Sequence, residues 1–290
     1  MKTLITTLTL ATLTATISTA QTFQENFLGE DFMQYKGALL KLKEDAISGF
    51  SHTFYNDLKY CQKMYDDNVI YPDSKYSFKT VQDSLKNRVF KVENIVDKDG
   101  NTFAGGSYFD KPIFVLKDTK TDQTIYYKYD KKYDFNFPFL TSEIELDTEA
   151  LCAKIERRVD DFTDQVSLNS PIIDGRQLAS MIIYKTIKGS KTVYSLSLQT
   201  YGSTVNVGES GAIILFDDGT KMNKPSEKIS VDTDDRGFEY SAFITLSETE
   251  VKSLTTKKIK KFRLYIYDEE VNPGEADKFT HYVQCVIDKK

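Results

Sequence analysis

The stretch Gly211 to Met222 constrains this chain more than any other. A compact apolar run, Ala212 to Phe216, meets Asp217-Asp218-Gly219 and then turns back. A run that short is a buried strand rather than a helix. Asp-Gly suits a two-residue type I′ loop, because both central residues need positive φ and Gly adopts it without steric cost. The flanking segments share this character, which places a β-hairpin at the centre of a β-rich second half.

That second half carries turn signals roughly every ten residues. Leu178 to Ile187 is apolar on both parities, as a central strand is. Thr192 to Thr200 alternates, with Tyr194, Leu196 and Leu198 against Ser195, Ser197 and Gln199. Lys228 to Asp232 and Gly237 to Leu246 follow the hairpin. Ser247-Glu248-Thr249-Glu250 is a capping box that opens a short helix over Glu248 to Leu254. Lys260 to Tyr267 and Phe279 to Ile287 read as two last strands across an Asn272-Pro273-Gly274 turn. Seven or more strands so spaced predict an antiparallel β-sandwich, immunoglobulin-like or jelly-roll-like, over residues 159–290.

The first half is more mixed. Lys36 to Leu42, Arg88 to Val96, Pro112 to Leu116 and Thr124 to Tyr129 read as strands, the last two as a hairpin. In Gly49 to Tyr65 the spacing of Phe50, Phe54, Leu58, Cys61 and Tyr65 favours a helix, while its aromatics suit strands equally. Thr80 to Lys86 reads as a helical turn. Asp147 caps a helix that runs to Arg157-Arg158, with Leu151, Ile155 and Val159 on one face. These elements predict a small α+β domain on a curled antiparallel sheet over residues 21–158, making the whole chain mainly β.

Residues 1–20 are of a different kind. Lys2 precedes an apolar, threonine-rich run to Ile17, and Ser18-Thr19-Ala20 offers small residues for cleavage. This pattern reads as a secretory signal peptide of bacterial type. The chain is therefore expected to be periplasmic or secreted, without a membrane span and without a lipid-bearing cysteine near the cleavage site. With a formal charge of −5 and mixed signs along its length, it lacks the positive footprint that nucleic-acid binding requires.

Catalytic signals are thin. The chain has three cysteines, Cys61, Cys152 and Cys285, and two histidines, His52 and His281. One disulfide with a thiol left over is one reading, and Cys61–Cys152 would stay within the first half; three buried thiols is the other. No Gly-x-Ser-x-Gly elbow occurs, and the two histidines and scattered cysteines form no tight zinc-ligand pair. His281 is expected to pack at the end of the last strand.

Two constellations remain as candidate sites. Asp232-Thr233-Asp234-Asp235 begins like a calcium loop, but Arg236 follows and Phe243 stands where such a loop needs its bidentate Glu. Asp232, Asp234 and Asp235 are thus candidates for a calcium site outside that pattern. Lys261, Arg263 and Tyr265 alternate with Phe262, Leu264 and Ile266, making a basic-aromatic stripe able to grip an anionic glycan. The sequence accordingly points to an exported, non-catalytic binding or interaction protein of the cell envelope or exterior, with an envelope glycan or protein as its partner. A two-carboxylate hydrolase and a structural envelope component that binds other proteins are the alternatives.

Overall fold

The structure, a computed structural model, describes residues 22–44, 53–62, 68–72, 80–104, 111–131, 137–174, 179–234 and 237–290. Residues 1–20, which read as a signal peptide, lie outside the described residues, as do His52, Asp235 and the side chain of Asp234. The protein is mainly β, with three antiparallel sheets.

The first sheet contains β1 (Leu39–Leu42), β2 (Phe54–Tyr55), β3 (Val89–Val96), β4 (Ile113–Asp118), β5 (Thr124–Lys128) and β6 (Phe139–Thr141), in the order β2-β5-β4-β3-β1-β6. Its buried face is aromatic. Phe114 and Tyr129 stack with ring centroids 4.8 Å apart, and Tyr35 packs against both from a 3-10 helix at Gly29–Tyr35. Buried tyrosine hydroxyls need partners, and here those partners are the backbone of the N-terminal segment. The Tyr35 hydroxyl donates to the Asn26 carbonyl at 2.7 Å and accepts from the Leu28 amide at 2.9 Å. Tyr129 donates to the Gly29 carbonyl at 3.1 Å.

After α1 (Thr148–Ala153) come β7 (Glu156–Val159), β8 (Val166–Asn169), β9 (Ile173–Asp174), β10 (Ser180–Lys188), β11 (Lys191–Gly202), β12 (Ser210–Phe216), β13 (Lys221–Lys228), β14 (Ser230–Asp234) and β15 (Gly237–Leu246). Next are α2 (Glu248–Thr256), β16 (Ile259–Leu264), β17 (Tyr267–Glu270) and α3 (Pro273–Asp288). The second sheet runs β14-β15-β11-β10-β8-β7, with β9 also on β10; the third runs β13-β12-β16-β17. Leu196, Leu198, Tyr240 and Ile244 of the second sheet share one core with Ile214, Phe216, Phe262 and Leu264 of the third. That core is continuous with the aromatic layer of the first sheet.

The central hairpin forms as its sequence requires, but through a three-residue loop. Phe216 and Thr220 pair across it, and only Gly219, at φ +82°, takes the left-handed conformation. Asp217 and Asp218 keep negative φ, which is the geometry of a type I turn closed by a glycine bulge. Asp218 Oδ1 accepts the Thr220 amide at 2.9 Å and stabilises the turn.

Three other expectations are corrected. Phe279 to Ile287 is not a strand but the main body of α3. Asn272 caps this helix by accepting the Gly274 amide at 2.9 Å, and Pro273 occupies the first turn, where its missing N–H costs nothing. Phe279, Tyr282, Val283 and Val286 are buried at spacings of three, four and seven, so the helical period overrides β-branched and aromatic content. The stretch Lys260 to Tyr267 is two strands, because Tyr265 sits in a turn at φ +55°. The helix begun by Asp147 ends at Ala153, and Arg157 and Arg158 lie in β7. Within Gly49 to Tyr65, the described residues form β2 and a 3-10 helix at Leu58–Gln62.

Helix α3 ties the chain together. Its Lys278 is buried and contacts the Leu28 carbonyl (3.0 Å), Asp31 (3.2 Å) and Glu275 (2.9 Å). Lys154 reaches the other Asp31 oxygen. At the far end, buried Lys185 of β10 donates to the carbonyls of Ile287 and Lys289, where the helix dipole is negative. Cys285 of α3 is disulfide-bonded to Cys152 of α1, across 133 residues, while Cys61 is a buried thiol. The pairing differs from a bridge within the first half because α1 packs on α3. Such a bond fits an oxidising, extracytoplasmic compartment. Among the described residues no helix is long and apolar enough to cross a membrane.

Alkylation of the denatured, unreduced protein should label one cysteine, Cys61, and Cys152→Ala/Cys285→Ala should lose about 2–5 kcal/mol in urea melts. Lys278→Met should lose about 3–5 kcal/mol in the same measurement, because it removes the buried cation that Glu275 and Asp31 share, and Lys154 reaches Asp31 alone of the two.

Candidate interaction surface

Strand pairing brings three connections to one end of the two C-terminal sheets. Gly202, the last residue of β11, pairs with Phe238 beside the β14–β15 turn, where Asp234 pairs with Gly237. Tyr265, in the β16–β17 turn, donates its amide to the Gly211 carbonyl at the start of β12. Residues 203–209 join β11 to β12 at this same end.

Residues 203–209 are held from beneath by two tyrosines. Tyr240 of β15 and Tyr267 of β17 have ring centroids 4.6 Å apart and lie directly over Gly202. A Cβ at Gly202 would fall 2.4 Å from Tyr267 Cζ and 2.8 Å from Tyr240 Cε2, so only glycine permits the approach. The Tyr240 hydroxyl donates to the Thr204 carbonyl at 2.5 Å and accepts the Asn206 amide at 2.9 Å. The Tyr267 hydroxyl meets Thr204 Oγ1 at 2.7 Å. Asn206 is thereby clamped inward. Val205 and Val207, on either side of it, stand 55% and 75% exposed, and Ile266 in the neighbouring turn is 58% exposed.

Glu269 lies two residues beyond Tyr267 on the same strand. It accepts a hydrogen bond of 3.3 Å from Thr200, a buried residue of β11. Burial pushes its carboxyl up to about 7, Glu270 adds to the rise, and the Thr200 hydrogen bond opposes it. An acid titrating near neutrality thus sits beneath the clamped loop.

The candidates read from the sequence occupy this region unevenly. Lys261 and Arg263 are on β16, opposite Glu270 and Asp268. Arg263 forms a bidentate pair with Asp268, with Nη2 to Oδ2 at 2.7 Å, and Lys261 Nζ is 4.0 Å from the same carboxylate. Tyr265 leaves the stripe at the turn, and the Tyr267 ring packs against Tyr240 instead of joining the basic face. Asp232 faces Glu239 across the β14–β15 pair, and its Oδ1 accepts the Thr233 amide at 2.8 Å. Among the described residues no group of three or more His, Cys, Asp or Glu side chains is placed to hold a metal ion.

A concavity of about 520 Å³ opens between the N-terminal segment, residues 143–148 and α3. Glu143, Glu145, Lys258, Asp277 and His281 line it. Asp277 is paired with Lys258 at 2.8 Å, and its carbonyl lies 2.9 Å from His281 Nδ1. His281 belongs to a helix facing this cleft rather than to a strand end. The carboxyl that burial raises, Glu269, is elsewhere, between the two C-terminal sheets.

Sequence reasoning missed Val205, Asn206 and Val207. Their one signal was an alternating Thr-Val-Asn-Val bracketed by Gly202 and Gly208, too short to read as a strand and too apolar for an ordinary solvated loop. No protein-family model matches the chain, no curated protein matches it, and no solved structure matches it.

The Glu269 geometry fixes a pH dependence. Its folded pKa is raised above the ordinary 4.5, so the folded state holds the proton more tightly than the unfolded state. The contribution to stability is complete below pH 4.5 and declines as pH rises to about 7. Glu269→Gln should remove about 1–2 kcal/mol of that slope in denaturant melts taken across this window, after discounting for the solvent that reaches a half-buried group.

Proposed function

We propose that this chain is an exported, non-catalytic binding protein that recognises another protein through the loop end formed by residues 203–209 and the Tyr265-Ile266 turn. One observation carries the reading. Val205 and Val207 are held out in water by a clamp on the residue between them. Exposed apolar side chains on a mobile loop can turn back onto the surface. Here the hydroxyls of Tyr240 and Tyr267 hold the backbone in place. The ordering cost of binding is therefore already met in the unbound protein, which favours affinity per unit of contact area.

The chemistry of the surface favours a protein over a glycan. Val205, Val207 and Ile266 offer aliphatic contact area, as the core of a protein interface does. The nearby Arg263 is engaged by Asp268, which lowers its value for gripping an anionic sugar. Binding residues on loops at the end of a rigid β scaffold are a common arrangement. Export rests on the leader-like residues 1–20, and the Cys152–Cys285 disulfide supports it.

The test compares tagged full-length protein with Val205→Ser/Val207→Ser/Ile266→Ser, by quantitative recovery of cross-linked partners from producing cells and their medium. The partner recovered with the parent protein should fall about tenfold or more in the variant, while the thermal midpoint is retained because all three side chains face solvent. Equal recovery would remove this surface as the working one. A glycan-induced thermal shift that Arg263→Ala abolishes would transfer the role to the outer face of β16.

A further inference from the structure

At the opposite end of the second sheet, the β7–β8 hairpin presents Phe162 at 99% exposure. Its tip neighbours the Lys188 end of β10, whereas the clamped loop leaves β11 at Gly202. The length of β11, roughly 35 Å at strand rise, separates them. The two surfaces are therefore independent.

The tip is built around Asp160. Its Oδ1 accepts the amides of Phe162 (2.8 Å) and Thr163 (3.1 Å), and its carbonyl accepts the Asp164 amide at 2.9 Å. The Asp160 amide donates to the Gln165 carbonyl at 2.9 Å, and Asp164 takes the left-handed conformation at φ +52°. The Phe162 amide also holds the Asp160 carboxyl below its ordinary range. Phe162 thus has a fixed backbone and an uncovered ring. The turn is held by Asp160 without any contact from this ring, so the ring contributes nothing to the turn's own stability.

The surroundings of the ring define its complement. Asp161 and Asp164 are both exposed beside it, and Asp160 adds a third carboxylate to the turn; Lys188 of β10 acts on Asp160 and offsets part of this charge, which stays acidic on balance. We infer that Phe162 is the anchor of a second docking site, and that its partner is a protein with an apolar pocket rimmed by lysine or arginine. A large rigid aromatic seated in a desolvated pocket is the usual form of a binding hot spot. The aspartates contribute steering and selectivity at the rim. The same charges repel an anionic bilayer, so a membrane is the disfavoured occupant.

The experiment places a photoreactive side chain in the full-length protein, Phe162→p-benzoylphenylalanine, and irradiates producing cells and their medium. One discrete protein adduct is expected, suppressed by excess unlabelled parent protein. Phe162→Ala should need about thirtyfold more protein to suppress it, since an anchor contributes about 2 kcal/mol or more. Asp161→Asn/Asp164→Asn should compete more weakly than the parent protein at low salt and equally at high salt. Far-ultraviolet circular dichroism and the melting midpoint should be unchanged in both competitors. Absence of a protein adduct, equal competition by Phe162→Ala, or Phe162-dependent flotation with phosphatidylcholine vesicles would overturn the assignment. Equal competition by the aspartate variant at low salt would overturn the basic rim.

Discussion

The buried ion cluster at the start of α3 is the constraint on which the rest of the structure depends. Lys278, Asp31 and Glu275 are all withdrawn from water, at a desolvation cost of several kcal/mol per ion. Lys278 is tolerable there because three oxygen atoms surround its ammonium group, one of them the backbone carbonyl of Leu28. A shift of the N-terminal segment by one residue would strand a buried charge. The cluster therefore fixes how residues 26–35 lie on a helix nearly 250 positions later, and the aromatic layer of the first sheet closes over that arrangement through Tyr35 and Tyr129.

Both ends of α3 are then secured. Lys185 binds the last carbonyls, Lys289 donates to the Ile155 carbonyl at 3.0 Å, and the disulfide fixes α1 alongside. The helix covers the second sheet at β9 and β10, which leaves the strand ends to carry the connections. The two exposed apolar sites sit on such connections, and each is rigid for a different reason. Tyrosine hydroxyls from neighbouring strands clamp the 203–209 loop, while the 160–165 turn is stabilised locally by its own aspartate.

Local order was legible wherever it is decided locally. The hairpin after Phe216, the Ser247 capping box, the Asp147 cap and the β4–β5 hairpin all rest on residues within a turn of one another. The loop length at Asp217-Asp218-Gly219 was misjudged because Asp-Gly serves both a two-residue and a three-residue hairpin, and cross-strand register decides between them. The last helix was misread because Val283, Cys285 and Ile287 also alternate. A six-to-nine-residue apolar run can satisfy both periods, and the capping by Asn272 and Pro273 resolves the ambiguity.

The basic-aromatic stripe failed as a continuous face for a related reason. Alternation along Lys261 to Tyr267 assumes one extended strand, and the left-handed turn at Tyr265 breaks it. Which side chains meet across sheets is not written in any one segment. Tyr240, Tyr267, Asn206 and Gly202 come from three strands and a loop, as Asp31, Lys154 and Lys278 come from three distant helical elements. By itself the sequence determined the β class, the local hairpins and the helix caps, because spacing and backbone preference act over a few residues. Only the tertiary structure decided the disulfide partner, the buried charge cluster and the clamped loop, because each depends on desolvation and contact between residues that chain separation leaves uncorrelated.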